Sequence, residues 1–490
     1  MRRIFALLLA ALLTLGGAGT VLGAQVVLRD REDMVTIEEE VLYGGTEAAQ
    51  GLRVTLKTQC GQSLTQLLWD TSFAAGGDGT ADTAFSYLRR PEPDWYQPPS
   101  NTITIDFCAA NETFRTNAED DEDWWQRMEN AGFLSLPAQD VADRTAAGEE
   151  RTETVDLWDY YQLYSLCATA DLDMGGETFY RSGLPGTELL TEFFRFPVLP
   201  GTTAEVTVRR SQSGPVEETR TSCGIDFPQI LSGTADENTA YLFFDRADID
   251  PALDTSQIAG GYGVYRLDYH RETVITEPEE GLIHMDDTLV IDGISTVLPV
   301  EGTVKEVLGS EDGETLLVLS EEDGTLRLSV LERGSDRLLQ QIDLLPMAEG
   351  DDLYRAELLG EDLLVRLPSG AVAVAARTAS GYEAVLTADV TDAALAPFFS
   401  DGAKREQYRW LDSAAAFDGE RLALLYPLDD ADTALLPELG LLLLDADGTP
   451  VFAARYRHNA SDDRGAWPRM TYDDPDNSSP EQLPIQLSFS

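Results

Sequence analysis

His270, His284 and His458 are the only histidines of the chain, and Cys60, Cys108, Cys167 and Cys223 are its only cysteines. All four cysteines precede all three histidines, so no local cysteine–histidine motif for nucleophilic catalysis arises. The cysteines lie about fifty residues apart, whereas zinc sites of the usual kind space their thiolates a few residues apart. In an oxidising compartment the four are available for two bridges, in any of three connectivities, or they stand as buried thiols. Gly-x-Ser-x-Gly, His-Glu-x-x-His and phosphate-loop patterns are all missing, and with them the common signatures of acyl transfer, zinc hydrolysis and nucleotide hydrolysis. No catalytic, cofactor-binding or metal residue is assigned.

Carboxylates are the chemistry that remains. The chain carries 87 Asp+Glu against 35 Lys+Arg, a formal net charge of −52 over 490 residues. Paired carboxylates hydrolyse glycosides as acid and base or nucleophile, but with so many acids a pair is not specific. The segment "SEDGET" (Ser310–Thr315) resembles a sialidase Asp-box, one residue short and without its closing aromatic, and it reads as a hairpin turn. Acidic runs at Glu119–Asp123, Leu428–Thr433 and Asp445–Gly448 offer oxygens for calcium, yet none has the spacing of a twelve-residue calcium loop. They read as turns, loops or a helix start, and no cofactor is expected.

Aromatic residues offer binding rather than catalysis. Trp158, Tyr160, Tyr161 and Tyr164, and the pair Trp124–Trp125, serve either as core or as stacking surface for sugar rings. Trp95 and Tyr96 stand in "PEPDWYQPPS" (Pro91–Ser100), a proline-bounded loop. Loops carry binding residues more often than cores do, so these two are the expected ligand contacts. Asn111, Asn459 and Asn477 begin Asn-x-Ser/Thr triplets, which matter only where glycosylation occurs.

The charge narrows the partners. A surface this acidic repels phosphate backbones and anionic lipid heads, so nucleic acid is not expected, and the membrane is met only through the N-terminal segment. Basic proteins and cations are attracted, and acidic surfaces also keep exported proteins soluble. Met1-Arg2-Arg3 is a basic start, Ile4–Leu15 is apolar, and "AGTVLGA" follows. That order is a secretory signal with cleavage after Gly23 or Ala24. The alternative is an uncleaved anchor, since Ile4–Leu28 holds no charge and is long enough to span a bilayer as a helix. Either way the body is exported, secreted or anchored facing outside, to a protein or glycan ligand.

The elements that would position these residues are strands. Leu52, Val54 and Leu56 alternate with Arg53, Thr55 and Lys57; Ile103, Ile105 and Phe107 alternate likewise, as do Ala204, Val206 and Val208. Period two marks half-buried strands. Helices are expected at Glu119–Gly132 and Gly186–Phe196, and Asp156–Leu166 is ambiguous. Asp312-Gly313, Asp323-Gly324 and Arg333–Asp336 punctuate strand-length segments at Val304–Gly309, Thr315–Ser320, Thr325–Leu331 and Leu338–Leu344. Asp-Gly favours tight hairpins because Gly tolerates φ > 0. This is a four-stranded meander, and similar units recur with first turns near 361 and 418. Asp292-Gly293 is expected to turn as well. Such sheets cannot bury both faces alone; radial stacking does so. The fold class is therefore all-β, a β-propeller of four-stranded blades with a β-rich N-terminal region.

"EEDGTLRLSVLERGSDRLLQQIDL" (Glu321–Leu344) resembles the second half of a WD40-type blade, with Ser329-Val330 where Trp-Asp would stand. The likeness is to propeller architecture and covers about half of the chain. The whole layout also resembles exported bacterial proteins with a short N-terminal anchor and a β-rich body. The expected division is 1–24 signal or anchor, 25–228 β-rich region, 229–459 propeller-like repeats and 460–490 polar, flexible tail, with Ile485–Phe489 as a closing strand. The expected function is an exported, membrane-tethered binding or interaction module. The alternatives are a carboxylate-dependent propeller glycoside hydrolase and a cell-envelope sensor or assembly scaffold.

Overall fold

The computed structural model describes residues 14–20, 22–23, 35–60, 65–77, 80–89, 102–107, 111–115, 135–173, 178–182, 184–223, 231–235, 238–244, 254–276, 284–390, 414–427, 438–459, 470–472 and 485–489. Trp95, Tyr96, Cys108, the Glu119–Gly132 helix, Glu119–Asp123 and Leu428–Thr433 lie outside them, as does most of the 460–490 tail. Among the described residues no helix is long and apolar enough to cross a membrane.

The strands run β1 (Ile37–Gly44), β2 (Leu52–Cys60), β3 (Thr65–Ala74), β4 (Ala81–Arg89), β5 (Thr102–Phe107), β6 (Asn111–Arg115), β7 (Glu150–Asp156), β8 (Leu166–Asp173), β9 (Thr178–Ser182) and β10 (Thr203–Arg210). They continue as β11 (Val216–Cys223), β12 (Leu231–Ala235), β13 (Thr239–Phe243), β14 (Gly263–Thr276), β15 (His284–Pro299), β16 (Thr303–Gly309), β17 (Thr315–Glu322), β18 (Thr325–Glu332) and β19 (Arg337–Pro346). The last are β20 (Arg355–Leu359), β21 (Asp362–Arg366), β22 (Ala371–Thr378), β23 (Gly381–Asp389), β24 (Ala414–Phe417), β25 (Leu422–Pro427), β26 (Leu439–Leu444), β27 (Pro450–His458), β28 (Met470–Tyr472) and β29 (Ile485–Phe489). Among the described residues two α-helices, α1 (Ser135–Asp143) and α2 (Glu188–Phe194), interrupt them.

These strands form successive antiparallel sheets; β12–β15, β16–β19 and β20–β23 are four-stranded meanders in chain order, and β24–β27 is a fourth meander that gains β1. The fold is all-β, built of successive blade-like sheets. Two compact units hold them: Met1–Trp95 with Met347–Ser490, and Tyr96–Pro346.

In the first unit, β20–β23 and β24–β27 are consecutive meanders, and β24 packs beside both β20 and β29. The third sheet joins the chain's two ends: β29 and β28 pair with β2, which continues to β3 and β4. The expected strand at Ile485–Phe489 is thus the closing strand, aligned Leu52↔Phe489 to Leu56↔Ile485. Arg421 binds the same junction: Nη1 donates to the Ala48 carbonyl at 2.7 Å, and the guanidinium lies 4.8 Å from the Phe489 ring centre. Between this sheet and β24–β27 lies a core of Leu52, Val54, Phe73, Leu441, Phe452 and Tyr456, among others.

In the second unit, β12–β15 and β16–β19 are meanders, with first strands β5, β12 and β16 side by side. Burial is highest in the middle strands of a blade. β17, "TLLVLSEE", is buried for six consecutive residues, whereas Leu338 and Leu339 of β19 are exposed. An inner strand has sheets on both faces and reads as continuous hydrophobic sequence; an outermost strand does not.

The turns sit where glycine was expected. Asp323 and Gly324 have φ 51° and 71°, the paired positive values of a type I′ hairpin turn. Asp292-Gly293 is different: β15 runs straight through it, and Asp292 is the extra residue of a bulge opposite Asp268–Tyr269. Glycine inside a strand often marks a bulge rather than a turn. Thr102–Cys223 also departs from the meander rule. Sheets β5-β8-β9 and β6-β11-β10-β7 share this stretch, with the chain crossing between them. Helix α1, not anticipated, packs on β7 and β10, and α2 forms within Gly186–Phe196.

Candidate functional site

In the first unit a polar cleft of about 690 Å³ is lined by Ile37, Glu38, Glu39, Glu40, Gly77, Glu438, Arg455 and Arg457. Strand register builds it. β1 adds a fifth strand beyond β27, aligning Glu38 with Arg457 and Glu40 with Arg455. Residues two apart on a strand share a face, so Glu38 and Glu40 present one acidic edge and Arg455 and Arg457 the matching basic one. Glu438, just before β26, stands between the arginines. Arg455 lies 3.3 Å from Glu40 through Nη1 and 3.4 Å from Glu438 through Nε, and Arg457 Nε lies 3.6 Å from the other Glu438 oxygen. Opposite charges across a strand pair stabilise the register modestly.

Glu39 is held differently. Its carboxylate accepts the Gly76 N–H at 2.9 Å. Gly76 has φ +67°, and an added Cβ would stand 2.6 Å from the Thr46 carbonyl oxygen, so this turn requires glycine. Tyr456, buried behind the cleft, has its phenol pushed up by burial and then by the Glu39 charge. It stays a neutral hydroxyl throughout the physiological range. The Asn459 side chain accepts the Thr36 N–H at 3.2 Å, and Asn459 N–H returns a bond to the Thr36 carbonyl at 3.1 Å. This clip fixes where the chain enters β1. Beside it His458 is buried, and burial pushes its imidazole down to about 4.

The arrangement offers fixed donors and acceptors of both signs along an accessible strand edge. It suits recognition of a polar or cationic group. Among the described residues no three acidic, histidine or cysteine side chains converge to hold a metal ion.

The residues singled out by sequence are dispersed. His270 sits on β14 with Nδ1 2.8 Å and 2.9 Å from the Asp292 oxygens, both side chains about half exposed. His284 begins β15 opposite Thr276. Cys167 is half-buried on β8; Cys60 and Cys223 occur at the ends of β2 and β11. In Ser310–Thr315 the Asp312 carboxylate accepts Glu314 N–H at 2.9 Å, and Ser310 Oγ accepts Thr315 N–H at 3.0 Å. Those groups close a turn. Asp445 likewise accepts the N–H groups of Asp447 and Thr449 at 3.1 and 2.9 Å. Tyr164 is core, edge-on to Phe107. Trp158 alone of its group is exposed.

None of the cleft residues was among the expected contacts. "DREDMVTIEEE" reads as a charged stalk or first strand, and its partner lies more than four hundred residues away. The available signal was Glu-x-Glu in one strand and Arg-x-Arg in another.

No protein-family model and no curated protein matches the chain. Solved structures with a similar layout include the periplasmic gluconolactonase of Pseudomonas aeruginosa, at 13% identity and TM-score 0.25 over 84% of this chain and 99% of that one. A putative 6-phosphogluconolactonase of Bacteroides fragilis aligns at 11% identity and TM-score 0.26, over 82% and 93%. The β-propeller domain of Cps50 (Swd1) from Myceliophteria thermophila aligns at 11% identity and TM-score 0.21, over 51% and 80%. The all-β assignment stands on the chain's own sheets and their order.

Proposed function

We propose that the chain is an exported, membrane-tethered binding module facing outside the cytoplasm, whose ligand, a protein or a glycan, seats in the Glu38–Glu40/Arg455–Arg457 cleft. The observation that carries this is the charge ladder itself. Register alone aligns two arginines with two glutamates, and Glu438 joins them from a separate segment. The basic, apolar N-terminus and the −52 charge support export and solubility. On this reading 1–24 is the signal or anchor, 25–228 the β-rich region, 229–459 the repeats and 460–490 the tail. Trp95 and Tyr96 add a contact, and the four cysteines are available for bridges in the oxidising compartment or stand as buried thiols. A cell-envelope sensor or scaffold is the same module with a protein ligand.

Binding on a glycan array, followed by a turnover assay on any hit, tests it. The module binds without bond cleavage, and Arg455→Ala with Glu438→Gln weakens binding about tenfold, the scale of losing a central contact. Released reducing sugar would end this reading.

A second reading, a carboxylate-dependent glycoside hydrolase, is favoured by Glu306. It stands half-buried on β16, and burial pushes its carboxyl above the usual carboxylate range. A raised carboxyl is the form in which an acid can donate a proton to a leaving group. If Glu306→Gln abolishes sugar release while binding persists, the hydrolase reading replaces the first.

A further inference from the structure

Trp69 and Trp158 show the two fates of tryptophan here. Trp69 is fully buried in β3; Trp158 is 38% exposed. Its backbone is nevertheless fixed. Trp158 N–H donates to Asp156 Oδ1 at 3.0 Å, and Gln162 Nε2 donates to its carbonyl at 3.3 Å.

Other exposed apolar side chains gather beside it. Asp156 Oδ2 accepts the Gly201 N–H at 3.1 Å, and Leu157 N–H donates to the Thr202 carbonyl at 2.8 Å. These bonds place the Leu199–Thr202 turn against the start of the Trp158 turn. Leu163 bridges Pro197, and Val198 N–H donates to the Gln162 carbonyl. That antiparallel register sets Leu199, 40% exposed, across from Tyr161. The Tyr161 hydroxyl in turn accepts the Leu136 N–H at 3.2 Å, bringing Leu136, 49% exposed, to the same end. The 3₁₀ turn Leu157–Asp159 leaves Trp158 exposed, while Tyr161 just beyond it packs against the core. Trp158, Leu136 and Leu199 thus stand exposed around one hydrogen-bonded group of turns.

The chemistry around the patch selects its occupant. A pyranose stacked on Trp158 would need polar groups for its hydroxyls, but those present are engaged with one another. Asp156 holds Trp158 and Gly201, Gln162 holds Trp158, and Asp140 holds the Tyr160 hydroxyl at 2.7 Å and Arg144 at 2.7 Å. What remains unmatched is apolar area and negative charge, with Asp159 exposed beside Trp158. Rigid tryptophan inside a polar rim is the usual composition of an energetic centre in a protein interface.

We propose that Trp158, Leu136 and Leu199 form a docking surface for a protein partner that offers an apolar anchor flanked by lysine or arginine. This surface involves no cleft residue and goes beyond the binding reading, so it stands or falls separately.

The test uses the full chain and synthetic peptides that carry one central leucine or tryptophan flanked by basic, neutral or acidic residues. Anchorless basic peptides and an array of neutral oligosaccharides serve as alternatives. The expected result is selective binding of anchored basic peptides, weakened at least tenfold by Trp158→Ala and severalfold by Leu199→Ser or Asp159→Asn. Circular dichroism and melting temperature of the three variants stay as in the parent. No peptide binding, equal binding of anchorless basic peptides, affinity unchanged in Trp158→Ala, or an oligosaccharide whose binding needs Trp158 would each overturn it. Loss of ligand binding in Arg455→Ala alone bears on the cleft and leaves this proposal intact.

Discussion

The Thr303–Pro346 blade and the Thr102–Cys223 stretch are both buried antiparallel structure, yet the chain builds them in opposite ways. In the blade each strand pairs with the next: β16 with β17, β17 with β18, β18 with β19. In the other stretch β5 pairs with β8, β6 with β11 and β7 with β10, over intervals of about fifty to a hundred residues. Local pairing is specified by turn chemistry, residue by residue. Distant pairing is specified only by burial on both partners, and it bears the loop-closure entropy before contacts reward it.

Core truncation should separate the two. Leu328 in the blade and Leu157 in the interleaved stretch are both fully buried. Leu328→Ala and Leu157→Ala should each destabilise by about 2–5 kcal/mol, measured by urea unfolding. The rates should differ. Contacts formed early slow folding when removed, and contacts formed late speed unfolding. Leu328→Ala is expected to slow refolding, and Leu157→Ala to accelerate unfolding. The same rate response for both would mean that the interleaved sheets form as early as the meander.

Legibility follows the same line. The Asp323-Gly324 turn is written in two adjacent residues, and the closing strand in the alternation of Ile485–Phe489. Asp292-Gly293 carries an identical dipeptide but stays in β15, because the partner strand runs on past it and the surplus residue bulges. Helix α1 escapes because "SLPAQDVAD" buries only Pro137, Ala138, Val141 and Ala142 against strands supplied by later sequence. The cleft is least legible: Glu38 and Glu40 acquire meaning only when β27 lies alongside. Its residues are ordinary surface charges in either strand alone.

The joined ends offer a pH test of distant pairing. His458 lies opposite Ile37 in the β1–β27 register and is buried. The folded imidazole is pushed down to about 4 from an ordinary 6.5. Between those values the unfolded chain binds a proton that the folded chain does not, so stability falls as pH drops from 6.5 to 4 and is full above 6.5. The loss is about 3 kcal/mol for one such group. Since carboxylates also titrate there, the measurement is the difference between parent and His458→Gln across that window. A slope unchanged by the substitution would show that β1 leaves β27 before His458 is protonated.

At the local end of the comparison, Gly324→Ala should destabilise by about 1–2 kcal/mol, the strain of a left-handed non-glycine residue. Thermal unfolding reads it. Hydrogen exchange should quicken first in β17 and β18, the strands that the turn joins, and not in β5–β11. Exchange spreading evenly through both would mean that the blade does not open on its own.

The smallest effect lies on the distant side. Tyr160 follows β7 and donates its hydroxyl to Asp140 of α1 at 2.7 Å. Burial, then this bond, push the phenol up to about 12, so it remains a donor at any ordinary pH. Tyr160→Phe keeps the ring against the core and deletes one hydrogen bond at a half-exposed site, at a cost of about 1 kcal/mol. Asp140 keeps Arg144 as its partner, which limits the damage. Because this bond ties the unforeseen helix to a turn outside it, the substitution should quicken exchange of α1 amides and leave the Thr303–Pro346 blade untouched. Unchanged α1 exchange would assign the helix's position to its buried face on β7 and β10 alone, and the tyrosine to solvent.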